Sequence, residues 1–205
     1  MTDAIDPTEA RRTTIESYNK HIDEYAGKDA RDIRTLTYWP GVQFFLNNLE
    51  QGEEIFEVGS GTGSDALRIE EQGFSVQRSD VSEKFIERLE EQGYKASRYD
   101  VLDGPTSQTY SAVFANAVLL HLTLDQFRIA VRNLLLSLNR NGILCIGMKL
   151  GDFEGWREKG LSGKRYFKFW DMVELEKELI KAGFNLLNTT VVDDNSFVMI
   201  TLRRN

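Results

Sequence analysis

The chain has 205 residues, of which 41% are hydrophobic and 28% charged, and its formal net charge is −7 at pH 7. This length suits one α/β domain whose core needs neither disulfides nor a metal, and we expect no metal site. The acidic balance repels a phosphate backbone, which makes a nucleic acid partner unlikely. No apolar run reaches the roughly 20 residues of a membrane helix, and the start MTDAIDPTEARR lacks the apolar core of a secretory signal. We therefore expect a cytoplasmic protein with no membrane partner, and a buried Cys145, the only cysteine.

The N-terminal part, 1–50, is predicted to be a helical extension of a domain that occupies 51–205. The apolar positions of its first helix recur at helical spacing on one face: Ile15, Tyr18, Ile22 and Tyr25. A second helix is predicted after WPG, with Pro40 near its start.

From Glu54 onward, predicted strands alternate with predicted helices. In chain order these are strand IFEV, helix SDALRIEEQ, strand FSVQRSD, helix SEKFIERLEEQ, strands KASRYD and SAVFANA, a helix opened by the capping box TLDQ, strand ILCIGM, a helix opened by Asp171 and Glu174, and two strands around Asp-Asp-Asn-Ser. This alternation predicts an α/β fold, a Rossmann-like, mostly parallel sheet of about seven strands with helices on both faces. The closing C-terminal hairpin is predicted to add an antiparallel edge strand. Ligands of such sheets bind beyond the carboxyl ends of the strands.

Three glycines follow the first of these strands in the stretch EVGSGTG, at Gly59, Gly61 and Gly63. Glycines between a strand and its helix let the backbone approach a ligand closely. The dinucleotide fingerprint G-x-G-x-x-G requires its third glycine at the position where this chain has Ser64. An NAD-binding oxidoreductase is therefore disfavoured.

The stretch EVGSGTG resembles the first motif of class I S-adenosylmethionine-dependent methyltransferases, among them the small type 11, 12 and 25-like domains. The resemblance implies S-adenosylmethionine (SAM) as cofactor and S-adenosylhomocysteine (SAH) as product. It also implies that Glu57 helps to hold the methionine end of the cofactor. The glycine loop that passes under the sugar and sulfonium comprises Gly59, Ser60, Gly61 and Gly63.

Further along the chain, the ends of three later strands match the same family in order and spacing. Asp80, followed by Val81, stands where the family has a carboxylate that accepts from the two ribose hydroxyls. A carboxylate suits this role because it has two acceptor oxygens. Asp100 and Val101 correspond to the adenine contacts, and Asn116 with Ala117 to the strand end near the methionine moiety. Two stretches depart from the pattern: VLLHL has Leu120 where histidine is frequent, and NRNG replaces the family's L-x-P-G-G turn.

The resemblance also suggests how the acceptor is activated and covered. His121 is the best placed base for removing a proton from an acceptor; the alternative is a histidine that packs or caps backbone. Tyr18 and Tyr25, in YNKHIDEY, are similar to an N-terminal segment that closes over the cofactor in small methyltransferases. Their alternative role is to pack the helix onto the sheet.

The segment after the fifth strand, MKLGDFEGWREKGLSGKRYFKFW, is the part that the fold explains least. The residues that could line an acceptor pocket are Lys149, Trp156, Arg165 and Tyr166. Arg165 could pair with a carboxylate or phosphate, and the aromatic rings could hold a planar acceptor or a cation. A surface loop with aromatic residues tucked onto the sheet is the alternative.

The function favoured by the sequence is transfer of a methyl group to O, N or S of a small-molecule acceptor, by in-line displacement. Methylation of tRNA or of a protein side chain is an alternative, as is a non-catalytic, cofactor-binding regulator. Either a monomer or a homodimer is compatible with the sequence.

Overall fold

The computed structural model describes residues 5–29, 37–158, 162–192 and 194–205. The helices are α1 Pro7–Lys20, α2 Ile22–Asp29, α3 Trp39–Leu46, α4 Ser64–Glu71, α5 Glu83–Glu91, α6 Leu124–Ser137 and α7 Met172–Lys181, with a 3₁₀ helix at Leu119–His121. The strands are β1 Glu54–Val58, β2 Ser75–Asp80, β3 Ala96–Arg98, β4 Tyr110–Asn116, β5 Leu138–Lys149, β6 Glu154–Arg157, β7 Arg165–Lys168, β8 Phe184–Val192 and β9 Phe197–Arg204. None of these described helices combines the length and apolar character needed to span a membrane.

Seven strands form one sheet in the order β3-β2-β1-β4-β5-β9-β8. The five strands from β3 to β5 are parallel, and β9 is antiparallel to both β5 and β8. The predicted Rossmann-like, mostly parallel sheet with a C-terminal hairpin is thus confirmed. One detail of the prediction was wrong: the antiparallel strand β9 lies inside the sheet and β8 forms the edge, because the second strand of the hairpin pairs with β5.

The central strands bury both of their faces, which explains their near-continuous apolar sequences. Alternate residues face α3 and α4 on one side of the sheet, where Ile55, Phe114 and Cys145 join the apolar core. Their neighbours face α6 and α7 on the other side, where Phe56, Val113 and Leu144 join a second core cluster. The chain order reverses at β1, which lies between β2 and β4. A crevice for ligands is expected at this point.

The N-terminal helices differ from the predicted ones in their boundaries. The single helical face predicted from Ile15 to Tyr25 is divided at His21, where α1 ends, and α2 begins at Ile22. The WPG sequence opens α3 rather than preceding it, because Pro40 at the start of a helix needs no backbone donor. Residues 1–4 and 30–36 of the predicted extension lie outside the described residues.

The segment after β5 forms a two-stranded antiparallel sheet of β6 and β7, which the sequence did not predict. Its second strand packs against α1, and the Tyr166 N–H donates to Thr14 Oγ1 at 3.0 Å. This insertion therefore supports α1 from beneath. In the predicted Asp-Asp-Asn-Ser turn, Asp193 lies outside the described residues, and Asp194 and Asn195 have positive φ, as tight hairpins require.

Candidate functional site

A cavity opens at the carboxyl ends of β1, β2 and β4, beside the turn that follows β3, and α1 lies over it. Several residues singled out from the sequence line it: Gly59, Gly61, Asp80, Val81, Asp100, Val101, Asn116, Ala117, His121, Tyr18 and Tyr25. Ser60 and Gly63 lie in the same loop and Glu57 lies in β1, but none of the three is on the cavity wall. The structure thus gathers residues that are distant in sequence at the reversal of strand order.

The glycine loop passes under the cavity in a conformation that other residues rarely adopt. Gly59, Gly61 and Gly63 have φ of 72°, 53° and 82°. A Cβ on Gly59 would lie 2.4 Å from Val118 Cγ2, so a side chain would both strain the backbone and collide. The loop is tied to β2, since Ser60 N–H donates to the Ser79 carbonyl at 2.8 Å. Its backbone is therefore fixed before a ligand arrives.

Glu57 is buried behind this loop with an unsatisfied carboxylate oxygen. Its side chain is 2% exposed, and Oε2 has no hydrogen-bond partner among the described residues. Burial, reinforced by the nearby Asp65 carboxylate, raises the pKa of Glu57 to about 8. A buried acceptor without a donor costs free energy, and an ammonium group would both satisfy it and favour its ionised form.

Asp80, at the end of β2, holds the glycine loop and faces the cavity. Oδ2 accepts the Gly61 N–H at 2.9 Å and Oδ1 accepts the Ser82 N–H at 2.8 Å. Burial raises the pKa of Asp80, while these backbone N–H groups oppose the shift. Each carboxylate oxygen has a further lone pair, so both retain the capacity to accept a ligand hydroxyl.

Asp100 differs from the sequence prediction in its surroundings. Oδ1 accepts the Leu102 N–H at 2.9 Å, and Oδ2 forms an ion pair with the Arg11 guanidinium of α1. The carboxylate that the resemblance assigns to adenine is thus already engaged by the helix above the cavity. Arg11 itself lines the cavity and was not singled out from the sequence.

The end of β4 is held by a polar network and a strained turn. Asn116 Nδ2 donates to Asp65 Oδ2 at 2.8 Å, and the Tyr38 hydroxyl donates to Asp65 Oδ1 at 2.7 Å. Ala117 has φ of 56°, which is unfavourable for a residue with a Cβ. Its N–H donates to the Gly147 carbonyl at 3.0 Å, which holds this turn against the end of β5.

Tyr18 from α1 and His121 from the 3₁₀ helix meet in the cavity wall. The Tyr18 hydroxyl lies 3.0 Å from His121 Nε2, and His121 Nδ1 lies 2.7 Å from the Tyr166 carbonyl oxygen. Burial lowers the pKa of His121 to about 4, so the ring is neutral at pH 7. The Tyr18 ring also packs edge-on against Tyr25, with centroids 5.5 Å apart.

The four residues predicted for an acceptor pocket do not line this cavity. Arg165 is the nearest: its Nη1 donates to the Tyr18 hydroxyl at 3.4 Å. Tyr166 is fully buried and its hydroxyl donates to Glu154 at 2.6 Å. Lys149 lies over the Phe169 ring, and Trp156 packs edge-on against Tyr166.

Other residues of the cavity wall were not predicted to belong to a site: Arg11, Thr14, Ile15, Val58, Ser82, Phe85, Tyr99, Val118 and Leu122. Phe85 follows the end of β2 on α5, the helix predicted at SEKFIERLEEQ, and its side chain is buried. Arg11 and Thr14 come from a helix whose position over the sheet depends on tertiary packing. Of these residues, Ser82 and Tyr99 could have been found from the sequence, because they are close along the chain to Asp80 and Asp100.

Comparison with known proteins agrees with this geometry. Residues 56–144 match the family model of the methyltransferase domain type 12. No significant match was found among curated protein sequences.

Solved structures resemble the chain over 79% to 100% of its length at low sequence identity. The 1,6-didemethyltoxoflavin-N1-methyltransferase of Burkholderia thailandensis, with bound 1,6-didemethyltoxoflavin and SAH, is 18% identical, has a TM-score of 0.75, and the match covers 100% of this chain and 93% of that one. The DhpI protein in a complex with SAM and HEP is 17% identical, with a TM-score of 0.78 and coverage of 97% and 100%. The [4+2]-cyclase SpnF is 18% identical, with a TM-score of 0.63 and coverage of 79% and 78%.

The sheet order, the glycine loop and the acidic strand ends are those of the class I SAM-dependent methyltransferase fold, and residues 56–144 match a methyltransferase-domain model. The resemblance drawn from the motifs is therefore confirmed. The cofactor prediction agrees with the SAM and SAH present in similar structures.

Proposed function

We propose that this protein is a SAM-dependent methyltransferase that methylates a small molecule at O, N or S. The observation that carries the proposal is the pair of buried carboxylates, Asp80 at the end of β2 and Asp100 after β3, that line one cavity with the bared glycine loop. The carboxylate of Glu57 is buried behind that loop. Three carboxylates and an exposed backbone match a ligand that has an ammonium group, vicinal hydroxyls and an adenine amino group.

In this proposal each acidic side chain binds a different part of the cofactor. Glu57 accepts from the methionine ammonium through Oε2, which has no hydrogen-bond partner in the part of the chain that the structure describes. Asp80 accepts from the ribose hydroxyls while it keeps its bonds to Gly61 and Ser82. Asp100 accepts from the adenine amino group, and this requires the Arg11 guanidinium to share or leave its carboxylate.

The bound cofactor supplies a methyl group on a positively charged sulfur, which is activated for displacement. What the protein must add is alignment of the acceptor and exclusion of water. We propose that α1 and α2 act as a lid: Thr14, Tyr18 and Tyr25 already cover the cavity, and Asn19 accepts the Ser82 hydroxyl at 2.6 Å.

Titration calorimetry with SAH tests the cofactor assignment, with NAD as the control ligand. We expect SAH alone to bind. Binding of NAD alone, or of neither ligand, would overturn the assignment.

The reaction is tested separately, by incubating the protein with SAM and candidate acceptors and following the gain of one methyl group by mass spectrometry. SAH binding without methylation across hydroxyl, amine and thiol acceptors would favour the non-catalytic alternative. Methylation of tRNA or of a protein, with no small-molecule product, would favour the alternative of a macromolecular acceptor. The acidic surface, with a net charge of −7, stands against tRNA.

A further inference from the structure

The hydrogen bonds of His121 determine which of its nitrogens carries the proton. Nδ1 lies 2.7 Å from the Tyr166 carbonyl oxygen, which can only accept, so Nδ1 donates. Because burial lowers the pKa of His121 to about 4, the ring is neutral at pH 7 and Nε2 bears a lone pair. The Tyr18 hydroxyl, 3.0 Å from Nε2, therefore donates its proton to that nitrogen.

Tyr18 and His121 both line the cavity, so an acceptor there could approach either side chain. The only ring nitrogen of His121 able to accept a proton is already hydrogen-bonded to Tyr18. The phenol oxygen, in contrast, still has lone pairs, one of which faces Arg165 Nη1 at 3.4 Å. The guanidinium carbon also lies 5.4 Å from the centre of the Tyr18 ring. Burial raises the pKa of Tyr18, and Arg165 opposes that shift, so the guanidinium offsets part of the cost of negative charge on the phenol oxygen.

We propose that Tyr18 takes the proton from the acceptor and passes its own hydroxyl proton to His121 during methyl transfer. The inference rests on the proposed methyltransferase function and deepens it. The acceptor atom X loses its proton to Tyr18 Oη and forms a bond to the methyl carbon. As the bond from that carbon to sulfur breaks, its electron pair stays on sulfur, and His121 Nε2 gains the former Tyr18 proton.

Charge balance explains how His121 accepts a proton in these surroundings. The positive charge of the sulfonium disappears in the same step that creates an imidazolium, so the site gains no net charge. Two other charged groups face the pair. Arg165 from β7 lowers the pKa of His121, and Asp80 from β2 raises the pKa of Tyr18. Arg11 from α1 lines the same cavity and is paired with Asp100.

The relay specifies a class of acceptor. It serves a nucleophile that keeps its proton at neutral pH and must lose it on methylation, such as a phenol, an enol or a ring N–H. A thiolate or an unprotonated amine needs no such path before attack.

Tyr18 also packs against Tyr25 and Phe85, so a structural role has to be separated from proton transfer. Tyr18→Phe keeps the ring and removes only the hydroxyl. Tyr94→Phe is a matched control, because Tyr94 stacks on Arg78 outside the cavity.

The first measurement is ¹⁵N NMR of the full chain labelled at histidine, in complexes with SAM and with SAH. We expect His121 protonated at Nδ1, with a pKa higher in the SAH complex than in the SAM complex because the sulfonium charge is absent. Tyr94→Phe should reproduce both results. Protonation at Nε2, or equal pKa values in the two complexes, would overturn the relay even though both ligands bind. Failure of both ligands to bind would instead refute the cofactor assignment, and the relay with it.

The second measurement is turnover of the hydroxyl or N–H acceptor found by mass spectrometry. We expect Tyr18→Phe to lower kcat by about a hundredfold or more, the range of general base catalysis, with SAH affinity kept within about twofold. The decline of kcat at acidic pH, due to His121, should disappear in this variant because its proton path is lost. Unchanged kcat, or methylation restricted to thiols, would contradict the relay.

Discussion

Replacing Glu57 by glutamine should make the cofactor-free protein less sensitive to alkaline pH. The folded-state pKa of Glu57, about 8, lies well above the ordinary value of 4.5. Between these pH values the folded protein keeps a proton that the unfolded chain has released, so the free energy of unfolding falls as pH rises. The slope from this group is about 1.4 kcal/mol per pH unit, and it ends above the folded-state pKa.

Over the range from pH 5 to pH 8 this slope amounts to about 4 kcal/mol in the wild type, and glutamine, which does not ionise, removes it. Glutamine has nearly the same shape, and its oxygen can still accept from Ser60, which hydrogen-bonds to Glu57. The stability difference between the two proteins therefore isolates the ionisation of this one carboxyl group, since every other titrating group is common to both.

Urea denaturation of both proteins at pH 5, 6, 7 and 8 measures the difference. We expect the stability of Glu57→Gln relative to wild type to increase steadily with pH. We also expect the variant to bind SAH more weakly than the wild type, because the ammonium loses a charged partner. A stability difference that does not change with pH would refute the inferred ionisation of Glu57. Unchanged SAH affinity would refute its role in binding the ammonium.

Three further predictions concern the binding of SAH and the reactivity of the core. Asp80→Ala should weaken SAH binding by about 1.5 to 3 kcal/mol, measured by calorimetry, because it removes charge-assisted bonds to the ribose; the exposed Asp103→Ala is the control. Gly59→Ala should lower the free energy of unfolding by about 1 to 3 kcal/mol and weaken SAH binding, because the alanine Cβ would collide with Val118 and the backbone φ is 72°. Cys145 should resist thiol reagents until the protein unfolds, because burial raises the pKa of its thiol and the side chain is inaccessible.

Each of these has an outcome that would contradict it. Equal SAH affinity of the Asp80 and Asp103 variants would remove Asp80 from the ribose site. A Gly59 variant with wild-type stability and binding would show that the loop can accommodate a Cβ next to Val118. Labelling of Cys145 at the same rate in folded and urea-unfolded protein would show that the core opens readily.

The alternation of strands and helices was readable from the sequence because local periodicity reports local structure. The capping box of α6 at Thr123 and Gln126 and the cap of α7 at Asp171 were found where predicted. Element boundaries were less accurate. The stretch NRNG, which takes the place of the family's turn, lies within β5, where Asn141 has positive φ and the register with β4 shifts.

The sequence alone determined the Rossmann-like sheet, the glycine loop and the acidic strand ends, because a strand followed by a particular residue type is a local pattern with few spatial outcomes. Only the tertiary structure decided what those residues meet. The pairing of Arg11 with Asp100, and of Tyr18 with His121, joins positions about ninety and one hundred residues apart, and depends on how α1 packs over the sheet. The β6–β7 insertion supports the packing of α1. No local sequence pattern predicts this packing, because the shape and charge of both distant segments determine the contacts between them.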